Sequence, residues 1–260
     1  MSDDPRSLTT IRRAFEVLDV LQETNGAGPT ELAKRMDLPS STMYDYLRTL
    51  HETGYVTRED GEYRLSPRIY TMAGRMKHRD RLFQTAKPEM KRVANDTNEL
   101  VGLTIEHDGR GLILHQEEGP QALNLGTYPG AMTPLHTHAS GKVILAYLPD
   151  DEAEALLRDG PLAERTERTV TDPDALWAER ERIKERGYAV DWDEQVIGMG
   201  MIAVPILIDE RLHGALNIVA PSGRVQNESY QEELRQKIEE SVNRISINYQ
   251  YGGSGTPREP

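Results

Sequence analysis

The sequence has no cysteine, two phenylalanines, two tryptophans and only 7 lysines. Without cysteine there is no disulfide scaffold, no Cys-ligated zinc or iron–sulfur centre and no thiol nucleophile. No apolar run approaches the roughly 18 residues that a membrane helix needs. The opening Met1-Ser2-Asp3-Asp4-Pro5 has neither the basic nor the apolar segment of a secretion signal. These absences predict a cytoplasmic protein with no membrane partner. What is abundant is acid: 43 Asp and Glu against 31 Lys and Arg, a net charge of −12. An acidic, Lys-poor, Cys-free chain fits life in high salt, where large net charge keeps a surface soluble. A high-salt habitat is what this composition implies.

The acid is unevenly spread. Residues 1–81 carry 13 basic and 13 acidic side chains, and the rest carry 18 and 30. A net charge of −12 taken whole argues against DNA, because phosphate contacts want Lys and Arg. The first segment is neutral, so that argument does not reach it. At 260 residues the chain has room for two domains with real cores.

Periodicity predicts three helices and a hairpin in the first 66 residues. Thr9 or Thr10 caps a helix whose apolar stripe is Ile11, Ala14, Phe15, Leu18 and Leu21. A short helix follows at Thr30–Met36, then the turn Asp37-Leu38-Pro39. A third helix, capped by Ser40 or Ser41, runs to Glu52 with Met43, Leu47 and Leu50 inward. Tyr55–Arg58 and Glu62–Leu65 alternate across Asp60-Gly61, a two-residue hairpin signal. This order is a winged helix-turn-helix, with the third helix as reader and the hairpin as wing. Ser40, Ser41, Thr42, Tyr44, Asp45 and Arg48 are its candidate DNA contacts, and Arg12, Arg13, Arg58 and Arg64 its candidate phosphate clamps. Asp45 repels phosphate unless it accepts from a cytosine amino group or pairs with Arg48 three residues on, and the pair is the preferred reading.

Residues 67–81 predict a linker helix with Ile69, Met72, Ala73 and Met76 on its apolar face. Residues 82–251 then mix strands and helices. Expected helices are Leu82–Asn95, Ser140–Leu148, Asp150–Arg158, Asp172–Arg186 and Asn227–Tyr249. Expected strands are Leu100–Glu106, Gly111–Gln116, Ala122–Thr127, Tyr188–Val190, Met201–Ile208 and Ala215–Val219. The Gly-rich tail, 252–260, predicts disorder. Overall the class is α+β.

Several segments then point to one family. They are Ile11-Arg12-Arg13-Ala14-Phe15-Glu16-Val17-Leu18, Glu31-Leu32-Ala33, Leu38-Pro39-Ser40-Ser41-Thr42 and Gly54-Tyr55-Val56. Later come Pro134-Leu135-His136-Thr137-His138-Ala139-Ser140-Gly141-Lys142, Gly187-Tyr188-Ala189-Val190-Asp191, Glu194, Gly198 and Ile202-Ala203-Val204-Pro205. In this order, over about residues 8–250, the chain resembles IclR-family transcriptional regulators. The resemblance implies a DNA-binding domain, a linker helix and a GAF-like α/β effector domain. It also implies a double-stranded DNA operator, self-association as a dimer or tetramer, and control by a small organic, sugar or aromatic acid. The implied function is repression or activation of a catabolic pathway. Four positions depart from the family: Met201 replaces Cys or another small residue, Asn217 and Val219 replace Ser, and Asp45 replaces a basic residue.

By that resemblance the effector pocket lies between His136–Ser140 and strands carrying Met201, Asn217 and Val219, with Asp191 nearby. Ala139 and Ser140 N–H groups at a helix start would hold an acid, because that end is electropositive. Asn217 would bind a hydroxyl or carbonyl, and Met201 would wall the pocket. Plain core packing for Met201 and Val219, and a structural cap for Asp191, suit the same residues. His136 and His138 with Asp191 do not make a recognisable metal motif, and no cofactor is expected. Ser140-Gly141-Lys142 lacks the first Gly and the last Ser/Thr of a phosphate-binding loop. The triplets at Asn95 and Asn227 have no secretion signal to make them glycosylation sites. An enzyme with an appended regulatory module lacks a catalytic constellation here. An adaptor using the helix Asn227–Tyr249 is a third reading, set against that helix packing on its own sheet.

Overall fold

The computed structural model describes residues 8–252 and divides the chain into two units at Arg79/Asp80. The first unit holds α1 (Thr9–Thr24), α2 (Pro29–Arg35), α3 (Ser40–Glu52), β1 (Val56–Glu59), β2 (Glu62–Leu65) and α4 (Pro67–Arg79). β1 and β2 pair antiparallel with Glu59 opposite Glu62, and Asp60 and Gly61 both take positive φ. That backbone matches the twist of a two-residue hairpin, and Gly61 adopts it without a Cβ penalty. Val17, Leu21, Leu32, Met43, Leu47 and Val56 form the core.

Three local expectations differ from the structure. Thr9 and Thr10 lie inside α1, whose cap position is Leu8, and Ser40 opens α3 behind Pro39, so neither hydroxyl caps its helix. The packed face of α1 runs through Val17 and Leu21, which leaves Ile11 and Phe15 exposed. α4 has the expected spacing but buries none of its residues. A sequence stripe reports that a face is apolar, not what covers it.

The second unit opens with α5 (Arg81–Thr97), capped by the Asp80 carboxylate on the Phe83 N–H at 2.7 Å. The linker helix, expected over 67–81, ends two residues earlier, at Arg79. Next come β3 (Leu100–His107), β4 (Arg110–Glu118), β5 (Met132–Pro134), a 3-10 turn (Leu135–Thr137), α6 (Ala139–Tyr147), α7 (Asp150–Arg158) and α8 (Pro173–Arg186). β6 (Ala189–Trp192), β7 (Met199–Ile208), β8 (Arg211–Pro221), α9 (Ser222–Val225) and α10 (Glu228–Tyr251) complete it. The strands make one antiparallel sheet in the order β5-β4-β3-β8-β7-β6. Alternation splits their side chains between two cores. Val101, Leu103, Ile202, Val204, Leu216 and Ile218 pack under α5 and α10, and Leu100, Met199, Met201, Ala203 and Val219 face α6 to α8. The long C-terminal helix thus packs on its own sheet.

Residues 122–127 form coil rather than the expected strand. Leu123 and Leu125 pack against the second core without pairing, and Gly126 and Gly130 take positive φ. The edge strand is the three-residue β5 instead, too short to show an alternating pattern. Residues 253–260 of the expected disordered tail lie outside the described residues.

Candidate functional site

The reader helix presents Ser40, Ser41, Tyr44, Asp45 and Arg48 to solvent, with Thr42 half-buried. Asp45 Oδ1 accepts from Arg48 Nη2 at 2.9 Å, so these two charges neutralise each other on the exposed face. On the hairpin, Arg64 pairs with Glu62 at 3.0 Å, and the Arg58 guanidinium lies 5.6 Å from the Tyr63 ring centre. Arg12 and Arg13 are half-buried on α1. The neutral sum of this unit is therefore also a local pairing at Arg48 and Arg64, rather than a concentration of uncompensated arginine.

Asp45→Ala is expected to strengthen sequence-independent duplex binding by roughly 2- to 5-fold at low salt, since an exposed pair is weak to break. The slope of log K against log salt should steepen by up to about 0.9 as one more cation reaches phosphate. Fluorescence anisotropy on a random duplex over a salt series reads both. An unchanged slope means Arg48 does not contact the backbone.

In the second unit, strand register builds a cavity under the start of α6. Asn217 sits between Ala203 on β7 and Gly102 on β3, and Val219 between Met201 and Leu100. These side chains and Thr104 point to one face, where they line a small cavity of about 30 Å³ with Ile113, Gln116, Thr133, His138 and Met199. Gly102 is needed here: a Cβ would stand 2.7 Å from Asn217 Oδ1 and 2.8 Å from Nδ2. Glycine in the strand thus makes room for the amide. The Asn217 side chain is buried, 4% exposed, and has no protein hydrogen-bond partner among the described residues. The amide faces the cavity.

The helix start is already occupied. Asp191 Oδ2 accepts from the Ala139 N–H at 2.7 Å, so that N–H is not the open acid seat expected from sequence. Ser140 donates its hydroxyl to Met201 Sδ at 3.3 Å, behind the cavity wall. Asp191 is fully buried, its Oδ1 has no hydrogen-bond partner among the described residues, and burial pushes its carboxyl up to about 7 against the opposing pull of the Ala139 N–H. Beside it, Lys142 Nζ donates to Glu194 Oε1 at 2.5 Å, both side chains nearly out of solvent, and Glu194 Oε2 has no hydrogen-bond partner among the described residues.

His138 has both ring nitrogens engaged. Nδ1 accepts from the Gly141 N–H at 3.2 Å, which leaves Nε2 as the donor to Thr133 Oγ1 at 2.8 Å. Thr133 in turn donates to the Gly111 carbonyl at 3.2 Å. Burial, then the nearby Lys142 charge, lowers His138 to about 4, so it is neutral at physiological pH. His136 turns the other way. Its Nε2 donates to the Ala163 carbonyl at 3.0 Å, and it lines a different cavity. Among the described residues no three His, Asp or Glu side chains are grouped to hold a metal ion.

Of the expected effector residues, then, His138, Met201, Asn217 and Val219 meet in one cavity, and His136, Ala139, Ser140 and Asp191 lie outside its lining. Sequence reasoning missed Gly102, Thr104, Gln116 and Thr133. A glycine inside a strand, with Thr two residues on, was the available signal for the first two.

Two family models match the chain: "IclR helix-turn-helix domain" over residues 10–60, and "Bacterial transcriptional regulator IclR C-terminal" over residues 75–247. The chain is 29% identical over 249 residues to the probable HTH-type transcriptional regulator ArcR of Halobacterium salinarum, covering 94% of this chain and 95% of that protein. It is 31% identical over 208 residues to the HTH-type transcriptional regulator BhcR of Paracoccus denitrificans, covering 79% and 74%. A crystal structure of an IclR homologue complexed with 4-hydroxybenzoate, from Microbacterium hydrocarbonoxydans, superposes with a TM-score of 0.80 at 27% identity, covering 94% of this chain and 98% of that one. These relatives are regulators rather than enzymes. With the helix-turn-helix model matched over residues 10–60 and the C-terminal model over residues 75–247, this chain belongs to the IclR family of transcriptional regulators.

Proposed function

We propose that this DNA-binding regulator controls a catabolic operon, as repressor or activator, and that a small hydroxylated organic acid sets its state. The carrying observation is the buried, unpartnered Asn217 amide facing a cavity whose lining holds no ionised side chain. Neutral donors and acceptors at Asn217, Thr104 and Gln116 suit hydroxyl, carbonyl and carboxylate oxygens, and Met201 and Val219 suit a carbon frame. A sugar acid and a hydroxylated aromatic acid both meet that description, and the homologue bound to 4-hydroxybenzoate is a precedent for the second. DNA contact is assigned to Ser40, Ser41, Thr42, Tyr44 and Arg48 on α3, with Arg12, Arg13, Arg58 and Arg64 on the flanking backbone.

Thermal-shift screening of such acids against the full chain tests this. A ligand at 100 times its Kd stabilises by about 2.7 kcal/mol. Asn217→Ala is expected to weaken the best hit by roughly 5- to 100-fold without loss of folding, in line with about 1–3 kcal/mol per lost buried partner. A hit whose affinity ignores Asn217→Ala removes this cavity as the effector site.

The regulator is further proposed to act as a dimer, with α4 as both linker and contact. Tyr70 is 83% exposed and Met76 70%, and α1 exposes Ile11 and Phe15. Apolar groups left in water on two helices of one small unit fit a self-complementary contact. Met72→Glu/Met76→Glu is expected to weaken association at least about tenfold while the protein stays folded, since neither side chain is buried. Sedimentation velocity over a concentration series reads this, and an unchanged distribution rejects α4 as the contact. Effector occupancy would then shift the population of dimer or tetramer forms that hold two reader helices about 34 Å apart. A cytoplasmic location and adaptation to high salt follow as parts of the same proposal.

A further inference from the structure

A second cavity lies on the far side of the segment 133–138. Thr133 and His138 face the first cavity, and Pro134, Leu135 and His136 face this one. It is open to solvent, with a volume of about 400 Å³. Leu145 of α6, Leu156 and Leu157 of α7, and Leu162 give it an apolar surface. The His136 hydrogen bond to Ala163 ties down its outer wall.

Arg110 and Arg165 are the charged members of its lining, and no carboxylate joins them. The Arg110 guanidinium donates to the Met132 carbonyl at 3.2 Å. The Arg165 side chain makes no hydrogen bond or ion pair among the described residues, while its backbone N–H is fixed on Thr169 Oγ1 at 3.0 Å. Elsewhere in this unit Arg92, Arg158, Arg180 and Arg235 each hold carboxylates. Residues 82–260 carry 30 acids and 18 bases, so two arginines without acidic partners beside one apolar cavity stand out. Guanidinium forks match carboxylates, and such a spot concentrates anions within an otherwise repelling field.

We propose that this cavity is a second ligand site, which binds a small monocarboxylate with an apolar body. The carboxylate sits against Arg110 and Arg165, and the body lies on the leucines. Because 133–138 walls both cavities, a ligand here bears on the same segment as a ligand in the first. Any effect of one on the affinity of the other must be reciprocal.

The test uses the full-length protein and calorimetric titration with hexanoate and its uncharged isostere hexanamide. Hexanoate is expected to bind, and hexanamide to bind at least about tenfold more weakly, because only the charged form makes charge-assisted hydrogen bonds. Arg110→Gln/Arg165→Gln should reduce hexanoate to the level of the amide with an unchanged Tm. Asn217→Ala should leave hexanoate affinity unchanged, which separates this site from the first. No heat with hexanoate at millimolar concentration, equal affinity for the amide, an unaffected double glutamine variant, or loss in Asn217→Ala would each overturn the proposal.

Discussion

Replacing Asp191 with asparagine is expected to stabilise the protein at pH 8, an unusual result for a residue inside a signature segment. The carboxyl is buried, and burial lifts it to about 7 from an unfolded value of 3.8. A folded value above the unfolded one means that the native state holds the proton more tightly. Stability from this group is full below about pH 3.8 and is lost as pH rises towards 7, with an upper bound of about 4 kcal/mol for that difference. Asparagine removes the ionisation but keeps a carbonyl oxygen for the Ala139 N–H. The expected gain is about 1–3 kcal/mol at pH 8, less than the bound because the new amide N–H groups need partners. Denaturant midpoints at pH 8 and 5.5 check it, and the gap between variant and parent should narrow at the lower pH. Asp191→Ala, which removes the acceptor, should lie below asparagine at both values by about 1–3 kcal/mol. A gap that widens towards pH 5.5 would show that Asp191 is ionised and satisfied in the native state.

Lys142→Met is expected to destabilise by about 3–5 kcal/mol, the largest loss expected from a single change in this unit. Lys142 is the buried cation beside Glu194, and its positive charge also favours the ionised form of Asp191. Removing one member of a buried pair strands the other charge, whereas replacing both with apolar groups is often neutral. Lys142→Met/Glu194→Met should therefore recover most of the loss. Urea midpoints of the parent, both single variants and the double variant close the cycle. A double variant no better than Lys142→Met would locate the cost in packing rather than in stranded charge.

The two predictions concern a cluster that was legible only in part: a structural cap was one of the two readings of Asp191, and it does accept from the Ala139 N–H, whereas the buried Lys142–Glu194 pair was not anticipated. Asp191 and Ala139 are 52 residues apart, and no local pattern says that one satisfies the other. The expected acid seat at the start of α6 was sound as helix electrostatics, but the protein's own carboxylate takes it. By contrast, Met201, Asn217 and Val219 were legible as neighbours. The family resemblance placed them at one pocket, and the pairing of β7 with β8 brings them to one face. The winged helix was legible because its hairpin depends on Asp60-Gly61 and its core on Met43, Leu47 and Leu50 within one helix. The burial of α1 was misread because Ile11 and Phe15 obey helical spacing yet lie off the packed face. β5 was missed because its three residues are ordered by pairing with β4, which is information held elsewhere in the chain.

The bare surface of α4 has a physiological consequence. A helix of 13 residues with nothing buried stands near the margin of stability in water. If α4 is the dimer contact proposed above, its persistence depends on association, and the stiffness of that segment then varies with protein abundance. In a cell holding few copies, dilution alone would slacken that segment before any metabolite arrived. Output from the operon would answer to how much regulator is present as well as to what it has bound.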